Sequence, residues 1–178
     1  MKRREFLKKA AAICAITTFP NIILAKSASK QDRREISLFN LHTHESVKAT
    51  YWADGRYFKE EIEELNRVLR DFRTGEVHPI DLALFDLLCD LGNSLGVDSP
   101  FHVISGYRSP KTNETLRRIS KGVAKRSLHM QGRAIDINLP GLKLETLRLA
   151  AAKLRRGGVG FYPKSGFIHI DTGRVRYW

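Results

Sequence analysis

Apolar positions recur in two rhythms along this chain, and each rhythm predicts a different element. From about Phe58 to Arg73, the residues Ile62, Leu65, Leu69 and Phe72 share one helical face, and Gly75 follows as a stop. From about Asp81 to Leu95 apolar residues cover most of the helical circumference, which predicts a buried central helix. Ser109-Pro110 opens a third helix, because serine caps and proline suits the first position; Gly122 closes it. Leu144, Leu147, Ala151 and Leu154 stripe a fourth, with Gly157-Gly158 as its stop.

The second rhythm has a period of two. Ile36 to Leu41 and Val47 to Trp52 alternate around His42-Thr43-His44-Glu45-Ser46, the pattern of a hairpin, and Asp54-Gly55 marks a turn. Phe101 to Ser105 and Ala134 to Asn138 read as strands, the latter stopped by Pro140-Gly141. Three short strands complete the chain, at Val159 to Tyr162, Phe167 to Asp171 and Arg174 to Trp178. Consecutive strands without helices between them predict antiparallel pairing. The expected fold is one α+β domain over residues 35–178, a small antiparallel sheet with packed helices.

The first 25 residues follow another logic. Met1-Lys-Arg3-Arg4-Glu-Phe6-Leu7-Lys8-Lys9 precedes an apolar stretch from Ala10 to Leu24, interrupted by Pro20 and Asn21, with Ala25 at a cut site. This is an export signal, too short and interrupted for a stable membrane span after processing. Arg3-Arg4 followed by Phe6-Leu7-Lys8 resembles the twin-arginine address, which implies the twin-arginine export machinery as a partner and the periplasm as destination. Residues 26–34 are polar and read as a flexible leader.

Charge and cysteine content narrow the partners. The chain of 178 residues carries a formal net charge of +12, and removing the signal's five positive and one negative groups leaves +8 on 153 residues. Such a surface suits an anionic partner. After export, cell-wall polymer is nearer than nucleic acid, and no basic-aromatic motif for nucleic acid stands out, so none is expected. Cys14 lies in the signal, which leaves Cys89 alone in an apolar run and without an internal disulfide partner. It reads as a buried structural thiol.

The chemistry concentrates near the end. His129 and Asp136 stand seven apart in Ser127-Leu-His129-Met-Gln-Gly132-Arg-Ala134-Ile-Asp136, and His169 follows in Gly166-Phe-Ile-His169-Ile-Asp171. Two imidazoles and a carboxylate suit a catalytic zinc ion, which takes three protein ligands and keeps a fourth position for water. Strand geometry sharpens the point. If Ile135 and Ile137, and Ile168 and Ile170, face the core, then Asp136 and His169 face one polar cleft. The competing reading is an aspartate satisfied by backbone amides or an arginine.

The motif Ser127-x-His129-x-x-Gly132-x-Ala134-x-Asp136 resembles that of the LAS zinc peptidases, a group including D-alanyl-D-alanine carboxypeptidases and dipeptidases. Ser105-Gly106-Tyr107-Arg108-Ser109 with Asn113 resembles their upstream motif. The likeness continues through Gly157-Gly-Val-Gly160-Phe-Tyr162-Pro163 and His169-x-Asp171-x-Gly173-x-x-Arg176-x-Trp178, and is strongest toward murein endopeptidases. It implies one zinc per chain on His129, Asp136 and His169, with Arg108 at the substrate carbonyl or carboxylate and Tyr107 and Ser127 lining the substrate site. It also implies hydrolysis of peptide cross-links in peptidoglycan, at meso-diaminopimelate. The alternatives are a D-alanine carboxypeptidase of the same chemistry and a wall-binding protein that keeps zinc without turnover.

One position departs from the group. Many relatives carry an acidic general base three residues before the last zinc histidine, where this chain has Gly166. Asp171 shares the strand face of His169 and is either the base or a group that orients a ligand. His42 and His44 form a His-x-His pair read as a solvated loop, and His78 and His102 read as structural.

Overall fold

The computed structural model describes residues 33–178 apart from residue 121. The export signal expected over residues 1–25 lies outside the described residues, as does most of the leader. The first strand, β1, spans Arg33–Asn40, starting three residues earlier than expected. It pairs antiparallel with β2 (Ser46–Ala53), as the alternation predicts. Asp54 and Gly55 both take positive φ, 51° and 79°, and turn the chain into a two-residue β3 (Arg56–Tyr57) on the outer edge.

Helix α1 spans Lys59–Val68, a shorter element than the periodicity predicts. Its terminal carbonyls are taken by other parts of the fold. The Asn40 side chain donates to Val68 O at 2.8 Å, and the Tyr107 backbone N–H donates to Leu69 O at 2.8 Å. Both bonds stabilise an end that local propensity would have carried on. Helix α2 spans Leu82–Leu95, with Asp81 accepting from Ala83 N at 3.0 Å and Gly96 in the left-handed conformation closing it. Strand β4 (Phe101–Ser105) leads to α3 (Pro110–Ile119), whose cap is Ser109 accepting from Thr112 N at 3.2 Å. After β5 (Ala134–Asn138) comes α4 (Leu144–Leu154), then β6 (Gly158–Tyr162), β7 (Phe167–Asp171) and β8 (Arg176–Tyr177).

The sheet is larger than expected and is mixed. Its eight strands run in the order β3-β2-β1-β4-β5-β7-β6-β8. The expected antiparallel pairing holds for β5 with β7 and β7 with β6, but β1 with β4 and β6 with β8 are parallel. A parallel neighbour requires a crossover, and α1 and α2 supply it between β1 and β4. A single apolar cluster joins sheet and helices. Ile135, Ile137, Ile168 and Ile170 are fully buried in it, together with Leu147 of α4. Each buried side chain of this size contributes about 1.5–3 kcal/mol, so the isoleucines pin which faces of β5 and β7 turn inward. Cys89 is buried within the same cluster, and burial pushes its thiol pKa up.

Gly157 and Gly158 serve the fold differently from a helix stop. The cap of α4 is Arg155, with φ of 53°. A Cβ on Gly157 would lie 1.6 Å from the Asp171 backbone oxygen, and one on Gly158 would lie 2.5 Å from an Asp171 carboxylate oxygen. The glycines allow β6 to approach the end of β7 closely.

Candidate metal centre

The antiparallel register of β5 and β7 sets Asp136 directly opposite His169. Their isoleucine neighbours face the core, so both side chains emerge on the other face of the sheet. His129 arrives from a 3-10 turn, Leu128–Gln131, ended by Gly132 with φ of 65°. A Cβ at Gly132 would lie 2.4 Å from the Pro79 carbonyl oxygen, so this bend needs glycine for both conformation and space.

Hydrogen bonds fix how each ring is turned. His129 Nδ1 lies 2.8 Å from Gly106 O, an acceptor only, so Nδ1 carries the proton and Nε2 presents a lone pair. His169 Nε2 lies 2.9 Å from Asp171 Oδ2, which sets Nε2 as the donor and leaves Nδ1 facing the cleft. His129 Nε2 and His169 Nδ1 are 3.2 Å apart, and Asp136 Oδ1 is 3.3 Å from the first and 2.9 Å from the second. Among the described residues, these three form the group whose ligand atoms, all within 4.8 Å of one another, are close enough to share one ion.

The donor set itself asks for a cation. Two imidazole lone pairs and a carboxylate oxygen converge, and each ring's proton is already committed elsewhere. Without an added positive charge, at least one contact sets lone pair against lone pair. Protonation of His169 is one remedy. Burial opposes it, but hydrogen bonds to Asp136 and Asp171 outweigh burial and raise its pKa. His129 goes the other way, because burial lowers its pKa more than Asp136 raises it. Burial alone would push Asp136 up, yet the charges and hydrogen bonds of His129 and His169 hold it well below the usual carboxylate range. A site that keeps one histidine neutral and one carboxylate ionised presents ligands in the form a divalent metal requires.

The surrounding cleft has a volume of about 450 Å³, lined among others by Arg108, Ser127, Tyr162, Phe167, Arg176 and Trp178. A family described as peptidoglycan L,D-endopeptidase MepK matches residues 27–178. The chain belongs to this family. The peptidoglycan L,D-endopeptidase MepK of Escherichia coli strain K12 is 44% identical over 177 residues, covering 99% of this chain and 96% of that protein. That of Shigella flexneri is equally similar, with the same coverage. The protein of Haemophilus influenzae strain Rd named probable peptidoglycan L,D-endopeptidase MepK is 37% identical, over 99% of this chain and 95% of its own length.

The remaining residues singled out in the sequence fall in three different settings. Arg108 reaches the centre: its Nη2 donates to Asp136 Oδ2 at 3.2 Å, its Nε to Ser105 Oγ at 3.4 Å, and its backbone N–H to His129 O at 3.2 Å. Ser127 lines the cleft and begins the turn that carries His129. Tyr107 does not line it, contrary to the expectation of a substrate contact. It is buried, stacks on His78 at 4.6 Å and donates to Glu76 Oε1 at 2.8 Å. Burial, with the Glu76 carboxylate beside it, pushes its hydroxyl up to about 12. A backbone bond to Leu69 fixes this turn of chain, which sends consecutive residues in different directions.

Asp171 is fully buried. Arg176 donates to both of its oxygens at 2.9 and 2.7 Å, Gly158 N and Gly173 N donate to Oδ1 at 3.1 and 2.8 Å, and His169 Nε2 takes Oδ2. Burial would raise its pKa, but these partners hold it well below the usual carboxylate range. It touches the ring edge of His169 that faces away from Asp136 and His129. His42 is occupied as well, stacked on Phe72 at 3.8 Å with Nε2 3.1 Å from Ile104 O.

Sequence reading missed Asp71, Tyr162 and Trp178 as site residues. Asp71 is buried and accepts from Ser109 N at 2.8 Å and Arg73 N at 3.0 Å, which anchors the loop bearing Arg108. Asp71 sits inside a predicted helix, where nothing local marks it as a loop anchor.

Proposed function

We propose that this protein is a zinc-dependent murein endopeptidase that hydrolyses peptide cross-links of peptidoglycan at meso-diaminopimelate. The observation that carries the reading is the convergence of His129 Nε2, His169 Nδ1 and Asp136 Oδ1, with each ring oriented by a bond on its other nitrogen. Family membership supplies the substrate class. His129, Asp136 and His169 are the residues that would hold one zinc ion per chain. When bound, the ion supplies a Lewis acid and makes water nucleophilic near neutral pH.

The chain's own groups have separable tasks. Arg108 keeps one side of Asp136 occupied and presents fixed positive charge to the cleft, where it suits a carboxylate of the stem peptide or a carbonyl oxygen gaining charge. Ser127 borders the same space. We assign Asp171 to positioning rather than proton abstraction. Both of its oxygens already accept from several donors, and it lies behind His169. It holds the imidazole in the tautomer that leaves Nδ1 free.

The N-terminal motif supports export through the twin-arginine machinery to the periplasm, where the polymer lies. Among the described residues no helix is long and apolar enough to cross a membrane. Replacing Arg3 and Arg4 by lysine is expected to leave precursor in the cytoplasm, and unchanged export in cells without that machinery would reject the route.

Digestion of purified sacculi, with and without chelator, tests the activity. Chelator-sensitive conversion of cross-linked muropeptide dimers to monomers is the expected result. Shortened stems with unchanged dimers would favour a carboxypeptidase, and release of nothing would favour a wall-binding protein.

A further inference from the structure

Trp178 lies across strand β6 in the cleft wall. Its indole packs 5.3 Å from the His169 ring, with the Arg176 guanidinium 4.8 Å away on the ring face. Its Nε1–H donates to the Tyr162 hydroxyl at 2.8 Å. Gly160 makes this possible, because a Cβ there would lie 2.6–2.8 Å from three atoms of the indole. Gly160 is the register partner of His169, and Tyr162, two residues on, is the partner of Phe167. Tyr162 therefore sits diagonally from His169 on the same face of the sheet, stacked on Phe167 at 4.8 Å, and both tyrosine and tryptophan line the cleft.

The chemistry of the pair is asymmetric. An indole N–H only donates, so the Tyr162 oxygen must accept, and its own O–H remains to be given to something else. Tyr162 has no second hydrogen-bond partner among the described residues. A phenol held by one bond, with its own proton uncommitted and its ring lining a cleft beside a hydrolytic centre, is a suitable donor. We infer that Tyr162 donates a hydrogen bond to the scissile carbonyl oxygen as that oxygen gains negative charge, and that Trp178 is the residue that positions it. The inference rests on the hydrolase reading above.

Three variants test it on the full-length mature enzyme: Tyr162→Phe, Trp178→Phe and the double substitution. Tyr162→Phe removes the proton and keeps the ring, and is expected to lower kcat by ~10²–10³-fold, with KM and zinc content little changed. Trp178→Phe keeps an aromatic ring but frees the phenol, and is expected to cost up to ~10²-fold. In the Tyr162→Phe background Trp178→Phe should cost almost nothing more, because both changes remove one interaction. Binding gives a readout apart from turnover. A phosphinic pseudopeptide with a tetrahedral centre should bind Tyr162→Phe more weakly by a similar factor, whereas the cleaved product peptide binds both forms alike.

Wild-type rate in Tyr162→Phe, or equal costs of Trp178→Phe in both backgrounds, overturns the inference while leaving the hydrolase reading intact. A wild-type enzyme that cuts no cross-link overturns that reading, and the inference with it. A purely structural pair would lower melting temperature in each variant and leave kcat and phosphinate binding alone, which also overturns it.

Discussion

Asp171 controls which nitrogen of His169 faces the centre. Its Oδ2 accepts from Nε2 at 2.9 Å, and Nδ1 is thereby left 2.9 Å from Asp136 Oδ1. The carboxylate is held in turn by Arg176 and two backbone amides, so the ring is fixed by a chain of bonds that begins in the last strand.

Replacing Asp171 by Asn therefore tests a positioning role. The variant is expected to bind zinc ~10–100-fold more weakly, the range found when such outer partners are lost. Its rate should recover substantially at saturating zinc. A variant that keeps wild-type zinc affinity but loses ~10²–10⁴-fold in rate would instead identify Asp171 as the general base.

Asp71 links stability to pH. Burial raises its pKa, but hydrogen bonds from Thr112, Ser109 and Arg73 outweigh that and lower it, so the folded value lies below that of the unfolded chain. A depressed carboxylate contributes stability above the unfolded pKa of about 3.9 and loses it as pH falls through the folded value. Asp71→Asn should cost ~1–3 kcal/mol at neutral pH by leaving buried N–H groups poorly satisfied. The difference in melting temperature from wild type should shrink below about pH 4. A difference independent of pH would remove the ionised carboxylate from the explanation.

Gly157, just before β6, and Gly160 within it should respond unequally to alanine. At Gly157 the new Cβ meets backbone at 1.6 Å, which nothing local can relieve, so Gly157→Ala should unfold the protein or cost several kcal/mol. At Gly160 it meets the indole of Trp178, which can swing aside. Gly160→Ala should stay folded, retain zinc and lose rate as Trp178→Phe does. Equal melting temperatures for the two variants would contradict this packing.

Much of this site is legible in the sequence. Alternation places Ile135 and Ile137 on one face, and Ile168 and Ile170 on one face, which by itself puts Asp136 and His169 on the other. Hydrophobic burial enforces that choice strongly, because a slip of one residue would expose four isoleucines. The orientation of the histidine rings was not legible, since it depends on Gly106 O and Asp171, which reach the rings through the fold. The early end of α1 has the same origin: Asn40 and Tyr107 take its carbonyls from distant parts of the chain. The parallel edges β1 with β4 and β6 with β8 leave no local mark, because pairing partners are chosen by tertiary packing. Tyr162 and Trp178 stand in the motif that carries the family resemblance, but the sequence gives neither a role; their contact depends on Gly160.

The central claim is that His129, Asp136 and His169 hold the ion on which cutting depends. The most direct measurement is metal analysis of purified wild type and His129→Ala, run beside muropeptide profiles of the sacculi each has digested. One zinc per chain in the wild type, with large losses of both zinc and dimer cleavage in the folded variant, is the predicted result. Stoichiometric zinc in His129→Ala together with normal cleavage would contradict the account.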